Sequence, residues 1–247
     1  MKNTIIIICL ALAYAGCSKN DFYSNSDGDF FNTLPTGASA HDFLSGSSYI
    51  AVTIQVQYSP GMKLQRQSLD NLAAFLKAHL NKPGGVIITQ QAVSSINKSQ
   101  VTITDVSAFE QHYRTQFTTG NNIGVCIQAV DADYSTPGVV GVAYQNTSIV
   151  LLEKTVQAQS GGLGQSSREK VETTILEHEF GHLLGLVNNG TAMITPHEDE
   201  ANKPHCTNQN CLMYYQIESS GFLNQLDGSI PQLDANCAND LQGNGGK

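Results

Sequence analysis

The chain has 247 residues, of which 40% are hydrophobic and 14% are charged, and its formal net charge is −8. This length and composition are sufficient for one domain with a substantial core. The acidic balance argues against nucleic acid as a partner and against electrostatic docking on anionic lipid.

The N-terminus has the pattern of an export signal. Lys2 gives a short basic start, and the apolar run at residues 4–15 is too short for a good membrane span. The run ends in small residues followed by Cys17, which resembles the lipobox of bacterial lipoproteins. That resemblance implies a signal peptide at residues 1–16 and a lipid anchor on Cys17. The mature chain would then be held on the outer membrane of a Gram-negative cell envelope, facing the periplasm or the exterior. Plain secretion with cleavage nearby is the alternative.

The remaining cysteines predict disulfides in such a compartment. With the leader removed and Cys17 acylated, four are left: Cys126, Cys206, Cys211 and Cys237. An even number of cysteines in an oxidising compartment favours two bridges, with three possible pairings. We expect Cys206 and Cys211 to close a small loop, and Cys126 and Cys237 to form a long tie.

The next segments predict a tether followed by the start of a folded domain. Residues 17–48 are rich in Ser, Asn, Asp and Gly, which is typical of a linker. Residues 49–58 include the apolar and polar alternation of a strand. Leucines at helical spacing then predict a helix within residues 64–80. We therefore place the domain boundary at residue 49.

The pattern of strands and helices continues beyond this helix. Residues 86–88 predict a short buried strand, and residues 101–103 predict either another strand or part of the same region. A helix at residues 107–117 precedes three strands, at 123–130, 139–144 and 148–152. This order predicts an α/β fold in which helices pack on a sheet.

A His-Glu-x-x-His motif carries the candidate chemistry. His178 and His182 are four residues apart, so on a helix they lie on one face and can bind one zinc ion. Glu179 lies beside them and can act as general base on a zinc-bound water. The motif predicts a hydrolase with one catalytic zinc as its cofactor.

The helix that carries this motif has clear ends. Ser166 and Glu169 have the spacing of a capping box at its start. Gly185 is a suitable residue for its C-terminal turn. The motif therefore lies within a complete helix rather than in an arbitrary stretch of sequence.

A catalytic zinc site needs a third protein ligand, and two family resemblances bear on it. The run from His178 to Gly185 resembles the start of the metzincin signature, which implies a third ligand at Asn188. The amide oxygen of asparagine is a weak zinc ligand. A later segment resembles the archaemetzincin pattern at all four fixed positions, which are His205, Cys206, Cys211 and Met213.

The second resemblance implies His205 as third ligand and Met213 as the Met-turn methionine beneath the zinc. An ordinary core methionine is the alternative for Met213. His197 is the rival ligand, followed by Asn188 or a carboxylate of the acidic loop, Glu198, Asp199 or Glu200. Archaemetzincins hold a second, structural zinc with these cysteines and a downstream Cys-x-x-Cys. Here Cys237 stands alone downstream, so we expect the disulfide instead.

Tyr215 follows Met213 by two residues. In astacin-like and serralysin-like metzincins a tyrosine at that place helps to bind the zinc or the oxyanion. The resemblance implies that Tyr215 stabilises the tetrahedral intermediate. Ordinary packing of an aromatic ring is the alternative.

The resemblance as a whole implies a metzincin-like zinc endopeptidase of the bacterial lipoprotein "membrane metalloprotease" type. Its fold would be α/β (α+β), with a twisted, mostly parallel sheet, an edge strand at the cleft, the active-site helix and a small irregular C-terminal lobe. The catalytic domain would span residues 49–247, with an upper lobe at 49–187 and a lower lobe at 188–247. An extended peptide or protein substrate would bind along the edge strand, and the chain would act as a monomer.

Two other functions remain open from the sequence. The chain would be a non-catalytic surface-binding lipoprotein if it retained the fold without the activity. Alternatively, it would be a zinc hydrolase of cell-wall peptides. The presence of Glu179 favours an enzyme over a binding protein.

Overall fold

The computed structural model describes residues 32–223, 226 and 228–247. The predicted signal peptide, Cys17 and the first part of the predicted tether lie outside these residues. The strands are β1 Ala51–Tyr58, β2 Gly85–Ala92, β3 Gln100–Val101, β4 Asn122–Ala129, β5 Asp133–Tyr134, β6 Gly141–Gln145 and β7 Ser148–Leu151. The helices are α1 Ala40–Leu44, α2 Arg66–His79, α3 Ile103–Tyr113, α4 Glu153–Ala158, α5 Arg168–Leu183, α6 Ser220–Leu223 and α7 Ala235–Gly243, with a 3-10 helix at Tyr215–Glu218.

The main sheet has five strands in the order β2-β1-β4-β7-β6. All neighbouring strands are parallel except β6, which runs antiparallel to β7 and forms one edge. The central strand β4 is buried along nearly its whole length, because a parallel strand is covered on both faces. The predicted α/β class, with a mostly parallel sheet and an edge strand, is confirmed.

Two apolar clusters cover the two sides of this sheet. The larger one includes buried side chains from β1, β4 and β7 together with those of α2 and α5. The smaller one joins Val106 of α3 to Val130, Val150 and Leu152. Helix α5 contacts β6 and β7, so the edge strand lies beside the helix that carries the His-Glu-x-x-His motif.

The described part of the predicted tether belongs to the domain. Phe43 and Leu44 of α1 are fully buried in the larger cluster. The backbone carbonyl of Leu34 accepts a hydrogen bond from the Asn146 N–H at 2.9 Å. The predicted boundary at residue 49 is therefore wrong, because short apolar segments among the polar residues pack onto the sheet.

Helix α3 begins earlier than predicted. Its N-cap is Thr102, whose hydroxyl accepts a hydrogen bond from the Asp105 N–H at 3.3 Å. The Asp105 carboxylate in turn accepts one from the Thr102 N–H at 2.9 Å, which completes a capping box. The cap starts the helix at Ile103, so the predicted strand at 101–103 is limited to the two residues of β3.

The start of α5 also differs from the prediction by one residue. Ser167, not Ser166, is the N-cap, and its hydroxyl accepts a hydrogen bond from the Lys170 N–H at 3.2 Å. Glu169 does not reach back to the cap, because its carboxylate accepts a hydrogen bond from Asn71 of α2 at 2.6 Å. Because two serines are adjacent here, the sequence alone was compatible with either of them as the N-cap.

Helix α5 is buried on all sides from Val171 to Leu183. A helix at the centre of a domain has no solvent face, and in this helix polar residues such as Thr173 and Glu177 are buried together with the apolar ones. It ends before Gly185, which adopts φ 70° and packs too closely against Thr191 for a side chain. None of the helices in the described ranges is long and apolar enough to cross a membrane.

Candidate metal centre

Three histidines converge at the C-terminal half of α5. The Nε2 atoms of His178 and His182 are 3.2 Å apart. The loop after α5 returns to bring the ring of His205 to 5.4 Å from His178 and 5.0 Å from His182, measured between centroids. The structure therefore brings the two histidines of the motif together with the one suggested by the archaemetzincin pattern.

Backbone contacts orient two of these rings toward a common point. Nδ1 of His178 lies 2.7 Å from the carbonyl of Leu212, and Nδ1 of His205 lies 2.9 Å from the carbonyl of Asn202. Because a carbonyl can only accept, each Nδ1 carries the proton and each Nε2 keeps a lone pair for a metal. Burial lowers the pKa of His182 to about 4, which keeps that ring in the neutral form that a metal requires.

Glu218 is the fourth residue of this centre. One of its carboxylate oxygens, Oε1, lies 3.3, 3.1 and 3.2 Å from Nε2 of His178, His182 and His205. Burial raises the pKa of Glu218, but the three imidazoles around Oε1 outweigh this effect and hold the pKa well below its usual range. Sequence reasoning missed this residue. Its one signal was an acidic side chain shortly after the Met-turn pattern.

Glu179 connects the centre to the edge strand. Its Oε2 accepts a hydrogen bond from the Ala143 N–H of β6 at 2.7 Å. Its Oε1 is buried and has no hydrogen-bond partner among the described residues. A side chain at Gly141 would stand 2.7 Å from that oxygen, so the glycine leaves room for it. Burial, and then the charge of Glu218, raise the pKa of Glu179 well above its usual range.

Met213 and Tyr215 both precede Glu218 in the chain, and Tyr215 begins the 3-10 helix that ends at Glu218. Met213 is fully buried and contacts Gly181 of α5, beneath the motif histidines. The hydroxyl of Tyr215 accepts a hydrogen bond from the Gln216 side chain at 3.1 Å, and its ring lies edge-on to Tyr214. The 3-10 helix that starts at Tyr215 directs Glu218 to the histidines. A role for Tyr215 at an oxyanion stays a prediction.

The acidic candidates for third ligand are engaged elsewhere, and Asn188 lies in a tight turn. Asn188 lies in the turn after α5 with φ 62°. Glu198 and Glu200 pair with the Lys203 ammonium group at 3.2 and 2.8 Å. Asp199 accepts a hydrogen bond from the side chain three residues further on. The potential metal-binding groups gathered around the motif are His178, His182, His205 and Glu218.

A second cluster contains the rival histidine and three thiols, and we call it the thiol cluster. Its members are His197, Cys206, Cys211 and Cys237. Together with Asp234, the first two and Cys237 form a set of potential metal ligands whose atoms lie within 4.8 Å of one another, and Cys211 lies beside Cys237. The Sγ atoms of Cys211 and Cys237 are 3.6 Å apart. Nδ1 of His197 lies 3.7 Å from the sulfur of Cys206 and 3.9 Å from that of Cys237. Sequence reasoning missed this arrangement because His197 comes from a loop without periodicity.

The predicted disulfides are wrong. All four cysteines of the described chain are free thiols, so neither Cys206–Cys211 nor Cys126–Cys237 is formed. Cys126 cannot tie the C-terminus down because it is buried within β4, in the middle of the sheet. Cys206 and Cys211 face the same cluster instead of closing a loop by themselves.

Hydrogen bonds prepare the thiol cluster for a cation. Nε2 of His197 bonds the Asp240 carboxylate of α7 at 2.9 Å, so that nitrogen carries the proton and Nδ1 faces the sulfurs with its lone pair. The sulfur of Cys211 accepts hydrogen bonds from the backbone N–H groups of Met213 and Asp234, both at 3.4 Å. Hydrogen bonds from the thiols of Cys206 and then Cys237 lower the pKa of Cys211 to about 4. Hydrogen bonding with Cys211 raises the pKa of Cys206 to about 11, and hydrogen bonding with Cys206 raises the pKa of Cys237.

Both clusters have the dimensions of a zinc site. Zinc–nitrogen bonds of about 2.0–2.1 Å place tetrahedral ligand atoms about 3.3 Å apart, close to the 3.2 Å between His178 and His182. Zinc–sulfur bonds of about 2.3 Å place two sulfurs about 3.8 Å apart, close to the 3.6 Å between Cys211 and Cys237. The donor atoms and their spacing therefore fit zinc at both places.

The comparisons with known proteins bear on the fold. No protein-family model matches the chain, and no curated protein matches it. The structure is similar to the crystal structure of archaemetzincin from Methanopyrus kandleri, with a TM-score of 0.54 and 15% sequence identity. The likeness covers 80% of this chain and 96% of that one. The chain therefore has the archaemetzincin fold, as the sequence resemblance implied.

Proposed function

We propose that the chain is a zinc-dependent endopeptidase. The observation that carries the proposal is the convergence of three Nε2 atoms, from His178, His182 and His205, beside the buried carboxylate of Glu179. The likeness of the fold to that of archaemetzincin supports it. His178, His182 and His205 would hold the ion.

The chain's own groups would perform the remaining steps. When bound, zinc would polarise the scissile carbonyl and lower the pKa of the attacking water. Glu179 accepts a proton from that water and returns it to the leaving amine. The Ala143 N–H orients the Glu179 carboxylate. Strand β6 forms one edge of the sheet, and an extended peptide would bind beside it as an added strand.

The test combines zinc content with hydrolysis of a mixed peptide library. We expect the purified protein to cleave peptides, and Glu179→Gln to bind zinc as the parent does but to lose cleavage. An active Glu179→Gln variant would contradict the mechanism. A zinc-loaded parent that is inert on peptides but digests peptidoglycan would point to a cell-wall hydrolase. Inertness toward both would favour a non-catalytic binding lipoprotein.

We also propose that the thiol cluster holds a structural zinc, in addition to the single catalytic ion expected from the sequence. Its support is the geometry of three sulfurs and one imidazole whose far nitrogen is fixed by Asp240. The ion would join the loop that presents His205 to the start of α7. It would also protect three thiols in an oxidising compartment, where unliganded ones form disulfides.

Location and substrate complete the proposal. The lipobox resemblance supports a lipid anchor on Cys17, and the acidic net charge argues against other attachment to anionic lipid. The substrate would be an extended peptide or protein segment, handled by a monomer. Labelling with a radioactive fatty acid tests the anchor, and we expect label on the parent but none on Cys17→Ala. Equal labelling of both would exclude it.

A further inference from the structure

Glu218 occupies the remaining corner of the histidine centre. Its Oε1 lies 3.1 to 3.3 Å from all three Nε2 atoms, and Nε2 of His178 and His182 are 3.2 Å apart. Four ligand atoms around a tetrahedral zinc lie about 3.3 Å from one another. The three nitrogens and this oxygen therefore have the size and arrangement of a closed, four-coordinate site.

We propose that Glu218 is a fourth protein ligand of the catalytic zinc and closes the site in the resting enzyme. The inference rests on the proposed function, because it assumes zinc at the three histidines. A hydrolytic site needs an open position for water, and the carboxylate stands at that position. Glu218 would therefore have to leave before catalysis, which makes it a self-inhibitory ligand.

The backbone around Glu218 suggests what releases it. The Glu218 carbonyl accepts a hydrogen bond from the Val140 N–H at 3.2 Å, and the Ser220 N–H donates to the Gly138 carbonyl at 2.8 Å. Between them, Val139 and Ser219 form an antiparallel bridge. Residues 218–220 therefore pair antiparallel with residues 138–140, which lead into the edge strand β6.

A bound substrate would compete with this segment. An extended peptide that pairs with the sheet edge needs backbone groups there, and part of the approach to β6 is already taken by residues 218–220. Displacing the segment breaks two backbone hydrogen bonds and withdraws the carboxylate. A water molecule would then be able to take the place of the carboxylate oxygen beside the three histidines, without any proton transfer. Substrate binding and opening of the site are thereby coupled.

The exposure of the side chains agrees with permanent binding by the histidines and displaceable binding by Glu218. The side chains of His178, His182 and His205 are 0%, 7% and 9% exposed, whereas that of Glu218 is 33% exposed. The histidines are fixed in the core and at its border, while the carboxylate can turn outward into solvent. A metal ligand that has to dissociate before catalysis is expected at the most exposed position of the site, which is where Glu218 lies.

The experiment measures zinc affinity at the histidine centre by competition with a chelator, using the full chain. We expect Glu218→Gln to lose at least about tenfold in affinity, since removing even an indirect partner of a ligand costs that much. Glu218→Asp keeps the charge but shortens the reach, so it should lose affinity as well. Glu200→Gln removes an exposed carboxylate of the nearby loop and should leave affinity unchanged.

A second readout follows the open position directly. Acetohydroxamate, a small zinc-binding anion, must displace Glu218 in the parent, so it should bind more tightly to Glu218→Gln than to the parent or to Glu200→Gln. Unchanged zinc and hydroxamate affinities in a Glu218→Gln variant that melts like the parent would overturn the proposal. Neither readout needs turnover. An inert parent with these affinity changes would therefore refute the peptidase alone, and no zinc at the centre would refute both.

Discussion

Met213 and Gly181 touch so closely that a methyl group at position 181 would stand 2.2 Å from the Met213 sulfur. Gly181 lies on α5 between the two motif histidines. A glycine in the middle of a helix costs about 0.5–1 kcal/mol relative to alanine. Here the close approach offsets that cost, because it lets the helix that carries the ligands pack directly against the methionine.

Replacing Gly181 by alanine should therefore destabilise the protein. The added methyl group must push Met213 or α5 aside, and overpacking of this kind costs about 1–3 kcal/mol. We expect a lower Tm and weaker zinc binding at the histidine centre, measured by thermal melting and by chelator competition. Gly221→Ala is the control, because a side chain there would meet nothing within 4 Å. A Gly181→Ala variant that melts with the parent would refute the packing argument.

His205 and His197 were the two histidine candidates for third ligand, and replacing each by alanine should impair a different property of the protein. His205→Ala removes a nitrogen from the centre beside Glu179, so zinc at that centre and peptide cleavage should both be lost. His197→Ala affects the thiol cluster instead, and should lower the Tm while the histidine centre still takes up zinc. Zinc content and melting measured on both variants test this. Equal effects would mean that one site uses both histidines.

The thiols should be distinguishable in the same way. Cys211→Ser and Cys237→Ser each remove a sulfur from the thiol cluster, so each should lower the zinc content by about one ion. Cys126→Ala removes a thiol buried in β4, away from the cluster, and should keep the parent's zinc content even where packing suffers. Elemental analysis after gel filtration provides the measurement. Full zinc content in Cys211→Ser would exclude a structural ion.

These residues also show where sequence reasoning was sufficient. Strands β1 and β4 could be predicted because alternation and apolar runs are local properties. The His-Glu-x-x-His helix could be predicted because two ligands and a base on one helix turn need no tertiary information. His205 was reached through its spacing from the cysteines and Met213, which resembles a known pattern.

The rest depends on contacts between distant segments. Glu218 reaches the histidines because the chain turns after Met213 and pairs with residues 138–140, and no local pattern encodes that turn. The thiol cluster was predicted as disulfides because cysteine count and compartment give no information on how the chain folds back to place His197 beside Cys206 and Cys237. α1 was assigned to the tether because the segment around it is rich in polar residues and glycine, although Phe43 and Leu44 belong to the core.

A buried pair of acidic side chains near the start of α5 makes the stability of the protein depend on pH. Glu153 and Glu172 share one cation, Arg168, at 2.9 and 2.7 Å. Glu172 also accepts hydrogen bonds from the Ser68 hydroxyl and the Gln65 N–H, at 2.6 and 2.8 Å. Glu153 Oε2 is buried without a partner among the described residues. Burial, and then the charge of Glu172, raise the pKa of Glu153 to about 8.

This raised pKa makes the folded state hold a proton that the unfolded state releases near pH 4.5. The stabilisation is complete below that pH and is lost as the pH rises toward about 8. Glu153→Gln keeps the shape but cannot ionise. We therefore expect the free energy of unfolding of the variant, relative to the parent, to increase between about pH 5 and pH 9, on the order of a few kcal/mol.

Chemical denaturation of parent and variant at each pH measures this difference. Zinc binding also depends on pH, so the comparison uses the variant minus the parent, in which that contribution cancels. Glu200→Gln serves as control because its carboxylate is exposed, and its difference from the parent should stay flat. A flat difference for Glu153→Gln would mean that the Arg168 guanidinium keeps both acids ionised. A decline with rising pH would mean that the Glu153 carboxylate is the stabilising form.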